Sequence, residues 1–253
     1  MKLKDRLLPL VTVALVFAAW YIAAAIYGIE LILPKPDAAF RELWAALGES
    51  VFWKGVGNTM LRSVLSFAIA FAAALVFALA SVGSRIFYKL FYPLVVLLRA
   101  LPTISVIFIC YIAVRGWYRA VLISFLVIFP TLYSAFYNSI TRCGGSLSEV
   151  GKVYKVRKGR VLTKYVIPTV WAETYTDIVN TLSLTVKLII AAEAVTATGV
   201  SLGGLMAESK AMVEMGRIFA YTLVAIGLSY LTELVVRLTS RMVKEISEKW
   251  RFH

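Results

Sequence analysis

The residues most able to do chemistry are a few charged side chains inside long apolar runs. Arg62, Arg99, Lys187 and Glu193 interrupt or end such runs in a chain of 253 residues that is 60% hydrophobic and only 16% charged. Ionisable residues within a membrane segment are costly, so they usually pair with one another or mark a transport pathway. These four positions are therefore the first candidates for function.

The side chains that most catalytic sites need are scarce. The one histidine is the last residue, His253, which leaves no histidine base or metal ligand within the body of the chain. Cys110 and Cys143 form no CxxC pattern. No G-x4-G-K-[S/T] loop for ATP occurs either. The sequence predicts a protein that is not an enzyme and has no metal site and no cofactor.

Six apolar runs are long enough to position these charges within a membrane, since a helix needs about 20 residues to cross a bilayer. We predict an all-α, polytopic membrane helical bundle, a single transmembrane domain of residues 1–253. Its six spans lie at about 7–27, 60–80, 90–114, 120–140, 178–197 and 218–238. For the first run a cleavable signal peptide is the alternative, because Ala23–Ala25 offers a small-residue site, although the run exceeds a signal core in length.

Residues 37–57, between the first two runs, carry apolar residues at helical spacing with charged residues between them. This pattern favours an interfacial amphipathic helix, and an ordinary loop helix is the alternative.

The charges also indicate orientation. The chain has 27 lysines and arginines against 14 acids, a net charge of +13. With a cytoplasmic N-terminus and six crossings, 17 basic residues lie on the cytoplasmic side and 7 on the other. This asymmetry obeys the positive-inside rule and predicts a multi-pass cell-membrane protein with both termini cytoplasmic. It accounts for the excess charge without a nucleic-acid partner.

The loop 142–168, between the fourth and fifth runs, is strongly basic and still patterned. It holds seven basic residues and one acid, Glu149, and its apolar residues recur at helical spacing. Two short amphipathic helices on the cytoplasmic face would suit docking to another protein. The alternative is binding to lipid headgroups, which basic clusters also contact.

At this loop the chain resembles the permeases of ATP-binding cassette importers. The segment from Glu149 to Pro168 is similar to their E-A-A-x3-G-x9-I-x-L-P loop, with the same separation and the same place between the fourth and fifth spans. Val150-Gly151 stands for Ala-Ala, and Lys155 stands where the motif has Gly, which bears on the turn between the two coupling helices. The resemblance implies an ATPase contact formed by Glu149, Val150, Gly151, Tyr154, Lys155 and Pro168.

Other segments resemble the nitrate, sulfonate and taurine branch of these permeases. They are Leu33–Pro36, Asn58–Arg62, Tyr92–Pro102 and Ala191–Glu193 followed by Gly199, Gly203 and Gly204. The resemblance implies a homodimeric permease in membrane lipid, with cytoplasmic ATPase subunits and an extracytoplasmic substrate-binding protein. Its pathway would carry a small anionic solute that is sulfonate-, nitrate-, taurine- or thiamine-precursor-like.

Each intramembrane charge keeps more than one interpretation. Lys187 would favour an anionic solute if it faces the pathway, or it forms a salt bridge to another span. Arg99 contacts substrate or satisfies carbonyls of a broken helix, and Glu193 lies near the external gate. Arg62 is expected to snorkel to the membrane surface. The alternative function is an ion-coupled secondary transporter that uses Arg99, Lys187 and Glu193.

Overall fold

The structure is a computed structural model that describes residues 3–153 and 167–251, with side chains for residues 8, 10–143 and 167–238. Within these ranges the chain forms helices and no strands. In chain order the helices are α1 (Leu3–Tyr27), α2 (Pro36–Leu47), α3 (Ser50–Gly83), α4 (Arg85–Ala100), α5 (Thr103–Ala113), α6 (Arg119–Val153), α7 (Ile167–Thr196), α8 (Leu202–Ala211) and α9 (Met215–Arg251).

The helices confirm a helical membrane bundle. Five of them, α1, α3, α6, α7 and α9, contain stretches long and apolar enough to cross a membrane. The pair α4 and α5 passes the same test together but is bent by 100°, and counting it as one span makes six in the described residues.

The bend divides the predicted third span, 90–114, into two helices. Leu101 is extended (φ −67°, ψ 127°), and Pro102 after it is the N-cap of α5. Proline disfavours helical backbone at the residue before it and has no N–H to continue the helix, so the chain turns at this point. Pro93 and Pro130, by contrast, lie inside continuous helices.

The second span is longer than the sequence predicted. Helix α3 begins at Ser50, ten residues before the expected start at Met60. Residues 50–57, expected in the interfacial helix, therefore belong to α3. The amphipathic segment is the shorter α2, which Pro36 begins at its first position, where the missing N–H costs nothing.

The core forms where α3 packs on α6. Ala70, Ala74 and Ala78 recur every four residues on α3 and are completely buried. Small residues at this spacing let two membrane helices approach closely. They belong to one buried cluster with large α6 side chains, which are Ile128, Phe129, Leu132, Tyr133 and Phe136.

Helices α6 and α7 run antiparallel and define the two ends of the bundle. At one end Ser139 Oγ donates to Glu173 (2.8 Å), and Arg142 lies 3.3 Å from the same carboxylate. At the other end Arg119 Nη1 donates to the Thr196 carbonyl (3.5 Å). We call the first the loop end, because it leads into residues 142–168, and the second the distal end.

Helix α1 lies at the periphery and contacts the bundle near the distal end. Trp20 donates from Nε1 to the Pro34 carbonyl (3.0 Å) and stacks on Phe219 of α9 at 5.3 Å. Most of its other side chains are exposed, as suits a helix surrounded by lipid.

Candidate functional site

An ion pair buried at the distal end joins α3 to α7. Arg62 Nη1 lies 2.5 Å from Glu193 Oε1, and the two residues are 3% and 0% exposed. The expectation that Arg62 snorkels to the surface is wrong, because a carboxylate from another span pairs with it inside the protein. A charge pair held this deep needs further hydrogen bonds to offset its desolvation.

Those further hydrogen bonds come from Thr59 on α3 and from the start of α8. Thr59, one turn before Arg62 on α3, donates from Oγ1 to Glu193 Oε2 (2.7 Å) and accepts from the Leu202 N–H (2.9 Å). The Gly203 N–H donates to the same Oε2 atom (3.3 Å). Both carboxylate oxygens of Glu193 therefore accept hydrogen bonds. We call the five residues of this network the buried cluster: Thr59, Arg62, Glu193, Leu202 and Gly203.

Gly203 fits the cluster because it has no side chain. A Cβ at this position would lie 2.3 Å from the Ile190 carbonyl oxygen and 2.5 Å from Glu193 Cβ, distances that real Cβ atoms do not show. The start of α8 therefore packs directly on the last turns of α7. The close approach of Gly203 depends on how the two helices cross, so the local sequence did not indicate it.

Lys187 lies on an exposed face of α7. Its side chain is exposed, as are those of Thr176 and Asn180, although all three are within a span. At 100° per residue these positions fall within about 40° of one another around the helix. Because the polar residues Thr176, Asn180 and Lys187 share it, we call this side of α7 the polar face.

Arg99 sits in the last turn of α4, just before the bend. Its side chain is exposed, and Nη1 donates to Ser134 Oγ of α6 at 3.4 Å. Ser134 in turn donates to the Pro130 carbonyl (2.8 Å). A helix carbonyl near Arg99 is thus satisfied by a serine hydroxyl, and the arginine contacts that hydroxyl.

Residues expected to contact the ATPase are described only in part. The backbone of Glu149, Val150 and Gly151 continues α6, which reaches Val153, while their side chains lie outside the described part. Tyr154 and Lys155 lie outside the described residues altogether. Pro168 is the second residue of α7 and is exposed.

Sequence reasoning identified Arg62 and Glu193 as unusual but did not pair them. The later apolar runs hold four basic residues, Arg62, Arg99, Lys187 and Arg237, and two acids, Glu193 and Glu233. The available signal was Thr59, because a hydroxyl three residues before Arg62 lies on the same face of a helix. Choosing among the possible pairs required knowing that α3 lies beside α7.

Two comparisons with known proteins agree with this architecture. The family described as "Binding-protein-dependent transport system inner membrane component" matches residues 79–245. Solved inward-facing structures of the MetNI methionine ABC transporter share the fold at low identity. A SeMet-soak crystal form gives TM-score 0.63 and 15% identity over 76% of this chain and 96% of that one. A native crystal form gives TM-score 0.54 and 16% identity, covering 81% and 95%.

No curated protein sequence matches the chain. The family match spans about two thirds of the residues, including α6, α7 and the loop between them. Proteins of this family are transport components and not enzymes. The chain belongs to the family of binding-protein-dependent transport system inner membrane components, and it is a multi-pass permease subunit of an ATP-binding cassette importer.

Proposed function

We propose that two copies of this permease form a pathway for a small anionic solute of the sulfonate, nitrate, taurine or thiamine-precursor type. The observation that carries the proposal is the exposed position of Lys187 on the polar face of α7. The family match does not favour the ion-coupled alternative.

The polar face cannot lie against lipid at low cost. Positions exposed on one copy of a membrane helix meet lipid, a second copy or water. A lysine near the centre of a span costs about 2.5–3.5 kcal/mol in lipid on insertion scales. Asn180 and Thr176 add two further exposed polar side chains to the same face. The polar face is therefore best placed against a second copy, along a water-filled pathway.

Lys187 is the basic residue of this face, and the exposed acids of α7, Glu173 and Asp177, lie closer to the loop end. Glu193 is buried and fully bonded, so it offers no charge to a passing molecule. Asp177 is exposed on α7, but ten residues from Lys187, about 15 Å along the helix. A two-fold axis would bring the Lys187 side chains of both copies to one pathway, where they attract an anion. Arg99 is proposed as a further pathway residue, and Glu193 as the residue that holds the distal end.

We propose a different partner protein for each end of the bundle. We place the loop end in the cytoplasm, where Glu149, Val150, Gly151, Tyr154, Lys155 and Pro168 would contact an ATPase subunit. Both termini would lie on that side, following the basic residues. The distal end would face outward and receive a substrate-binding protein. ATP-driven closure of the ATPases would then move the spans through the loop at 142–168.

A transport assay tests the role of Lys187. Permease and ATPase are reconstituted into proteoliposomes with the binding protein encoded beside them, and ATP-dependent uptake of nitrate, taurine and methanesulfonate is measured. Lys187→Gln should lower uptake of the transported anion at least tenfold, because one lost charge-assisted hydrogen bond is worth about 1.5–3 kcal/mol. Lys187→Arg should retain most of it.

Lys54→Gln is the matched control, since Lys54 is an exposed lysine on α3, outside the polar face of α7. Uptake that is unchanged in Lys187→Gln, or equally reduced in Lys54→Gln, would contradict a pathway role for Lys187.

A further inference from the structure

The distal end contains an open cavity with two arginines in its wall. The cavity has a volume of about 370 Å³ and lies between the α5–α6 and α7–α8 connections. Its lining includes no acidic residue and consists of Arg62, Gly116, Trp117, Arg119 and Thr196–Gly199. We call it the distal cavity. It is separate from the polar face of α7 and from the loop end.

Arg62, in the wall of this cavity, has a buried donor that is unsatisfied within the described part of the chain. It is 3% exposed, and Nη1 is bonded to Glu193, but Nε has no hydrogen-bond partner within the described part of the chain. A buried N–H without an acceptor costs about 1–3 kcal/mol, so such atoms call for an explanation. The Trp117 ring, whose centroid is 5.5 Å from the guanidinium carbon, lies beside it in the cavity wall.

Arg119 is held rigidly in the same wall. Its Nε donates to the Val114 carbonyl (2.7 Å) and Nη1 to the Thr196 carbonyl (3.5 Å), while its guanidinium lies 4.7 Å from the centre of the Tyr111 ring. A guanidinium has five N–H donors, so Arg119 has further N–H groups beyond the two that make these hydrogen bonds. Among the described residues no carboxylate pairs with Arg119, whereas the charge of Arg62 is balanced by Glu193. The cavity wall therefore carries a net positive charge.

We propose that the distal cavity binds a small oxyanion, such as a sulfonate, nitrate or carboxylate. The anion would accept hydrogen bonds from the free donors of Arg119 and, when the Trp117 ring moves aside, from Nε of Arg62. Arginine suits this task because its planar fork matches the geometry of these anions. The permease alone should bind the anion in this cavity, without the ATPase or the substrate-binding protein. The cavity's role as the first contact of an incoming solute rests on the proposed function.

Quenching of Trp117 fluorescence tests the binding. The detergent-purified full chain is titrated with iodide and, as a neutral reference, with acrylamide. The fluorescence of Trp117 is obtained by subtracting the fluorescence of Trp117→Phe from that of the wild type. A positively charged cavity concentrates anions, so the ratio of iodide to acrylamide quenching should be several-fold higher for Trp117 than for the other tryptophans. Methanesulfonate should suppress the iodide effect at constant ionic strength.

Arg119→Gln should return the Trp117 ratio to that of the other tryptophans. Arg115→Gln is the matched control, because Arg115 is exposed on the neighbouring turn and does not line the cavity, and it should leave the ratio unchanged. If Arg119→Gln loses helical content, Arg119→Lys replaces it. Lysine keeps the charge but not the fork, so iodide quenching should persist while protection by planar nitrate weakens.

Two results would overturn the proposal. One is a Trp117 ratio equal to that of the other tryptophans, and the other is a raised ratio that neither methanesulfonate nor Arg119→Gln alters. Because no ATPase is present, either result leaves the proposed transport function standing. Conversely, anion-dependent quenching in a permease that imports no anion would contradict the transport proposal and leave the binding site intact.

Discussion

Arg62 and Glu193 are 131 residues apart in the sequence, and their side chains meet at 2.5 Å with almost no exposure to solvent. The contact joins the beginning of one span to the end of another. Through Thr59 and Gly203 it also fixes the start of α8. The distal end of the bundle is thus held by electrostatics, whereas the α3–α6 core is held by packed alanines and aromatic rings.

The first prediction concerns the coupling energy of this pair. Arg62→Met and Glu193→Leu each leave one charge buried without its partner, which destabilises a protein by about 3–5 kcal/mol. The double variant removes both charges, so its loss should be clearly smaller than the sum of the two single losses. SDS titrations followed by circular dichroism give the free energies of unfolding of the wild type, the two single variants and the double variant. Strictly additive losses would show that the two residues do not stabilise each other.

The second prediction concerns the close packing of α8 on α7. Gly203→Ala introduces a Cβ that would lie 2.3 Å from a backbone oxygen, so α8 must shift. We expect a loss of about 1–3 kcal/mol, the usual cost of overpacking. Gly227→Ala on α9 is the control, because a Cβ there meets no atom within 4 Å. That change should be neutral or stabilising by up to about 1 kcal/mol, since alanine favours the helix.

The same unfolding titration compares the two glycine variants. Equal stability of Gly203→Ala and Gly227→Ala would mean that α8 is free to move away from α7, and that Gly203 does not determine their contact.

The third prediction concerns the loop at 142–168. Glu149→Lys reverses the one acidic charge in this loop and should reduce the amount of ATPase that co-purifies with the permease at least tenfold. The spans should remain folded, because the change lies outside them. Glu30→Lys makes the same reversal at the distal end, where no ATPase is expected, and should leave co-purification unchanged. Full recovery of the ATPase with Glu149→Lys would argue for the lipid-headgroup interpretation of the loop.

Local features of the sequence were sufficient to predict most of the fold. Hydropathy is a property of consecutive residues, so the apolar runs fall on the five helices that are long enough to cross a membrane and on the bent α4–α5 pair. The amphipathic helix was expected from residue 37, one residue after the observed start of α2 at Pro36, because its apolar spacing is a local pattern. Pro102 carried a local signal for the bend as well, but the apolar residues on both sides of it masked the break.

Partners across helices could not be predicted in this way. The sequence predicted that Arg62 snorkels, and its burial follows only from the position of α7 beside α3. The distal cavity depends on two connections, at Gly116 and at Gly199, that are 83 residues apart in the chain. Nothing in either segment alone indicates that Arg119 and Trp117 would share a wall with Arg62.

The bend between α4 and α5 has a consequence for assembly. Pro102 has no N–H, so the carbonyl of Leu98 lacks its usual helical donor, and Leu101 at the turn is exposed. Irregular backbone at membrane depth is tolerated only against protein or water. A single copy surrounded by lipid would therefore bear a cost that contact with protein or water removes. If a second copy makes that contact, dimerisation stabilises the folded permease, and its stability should rise with its density in the bilayer.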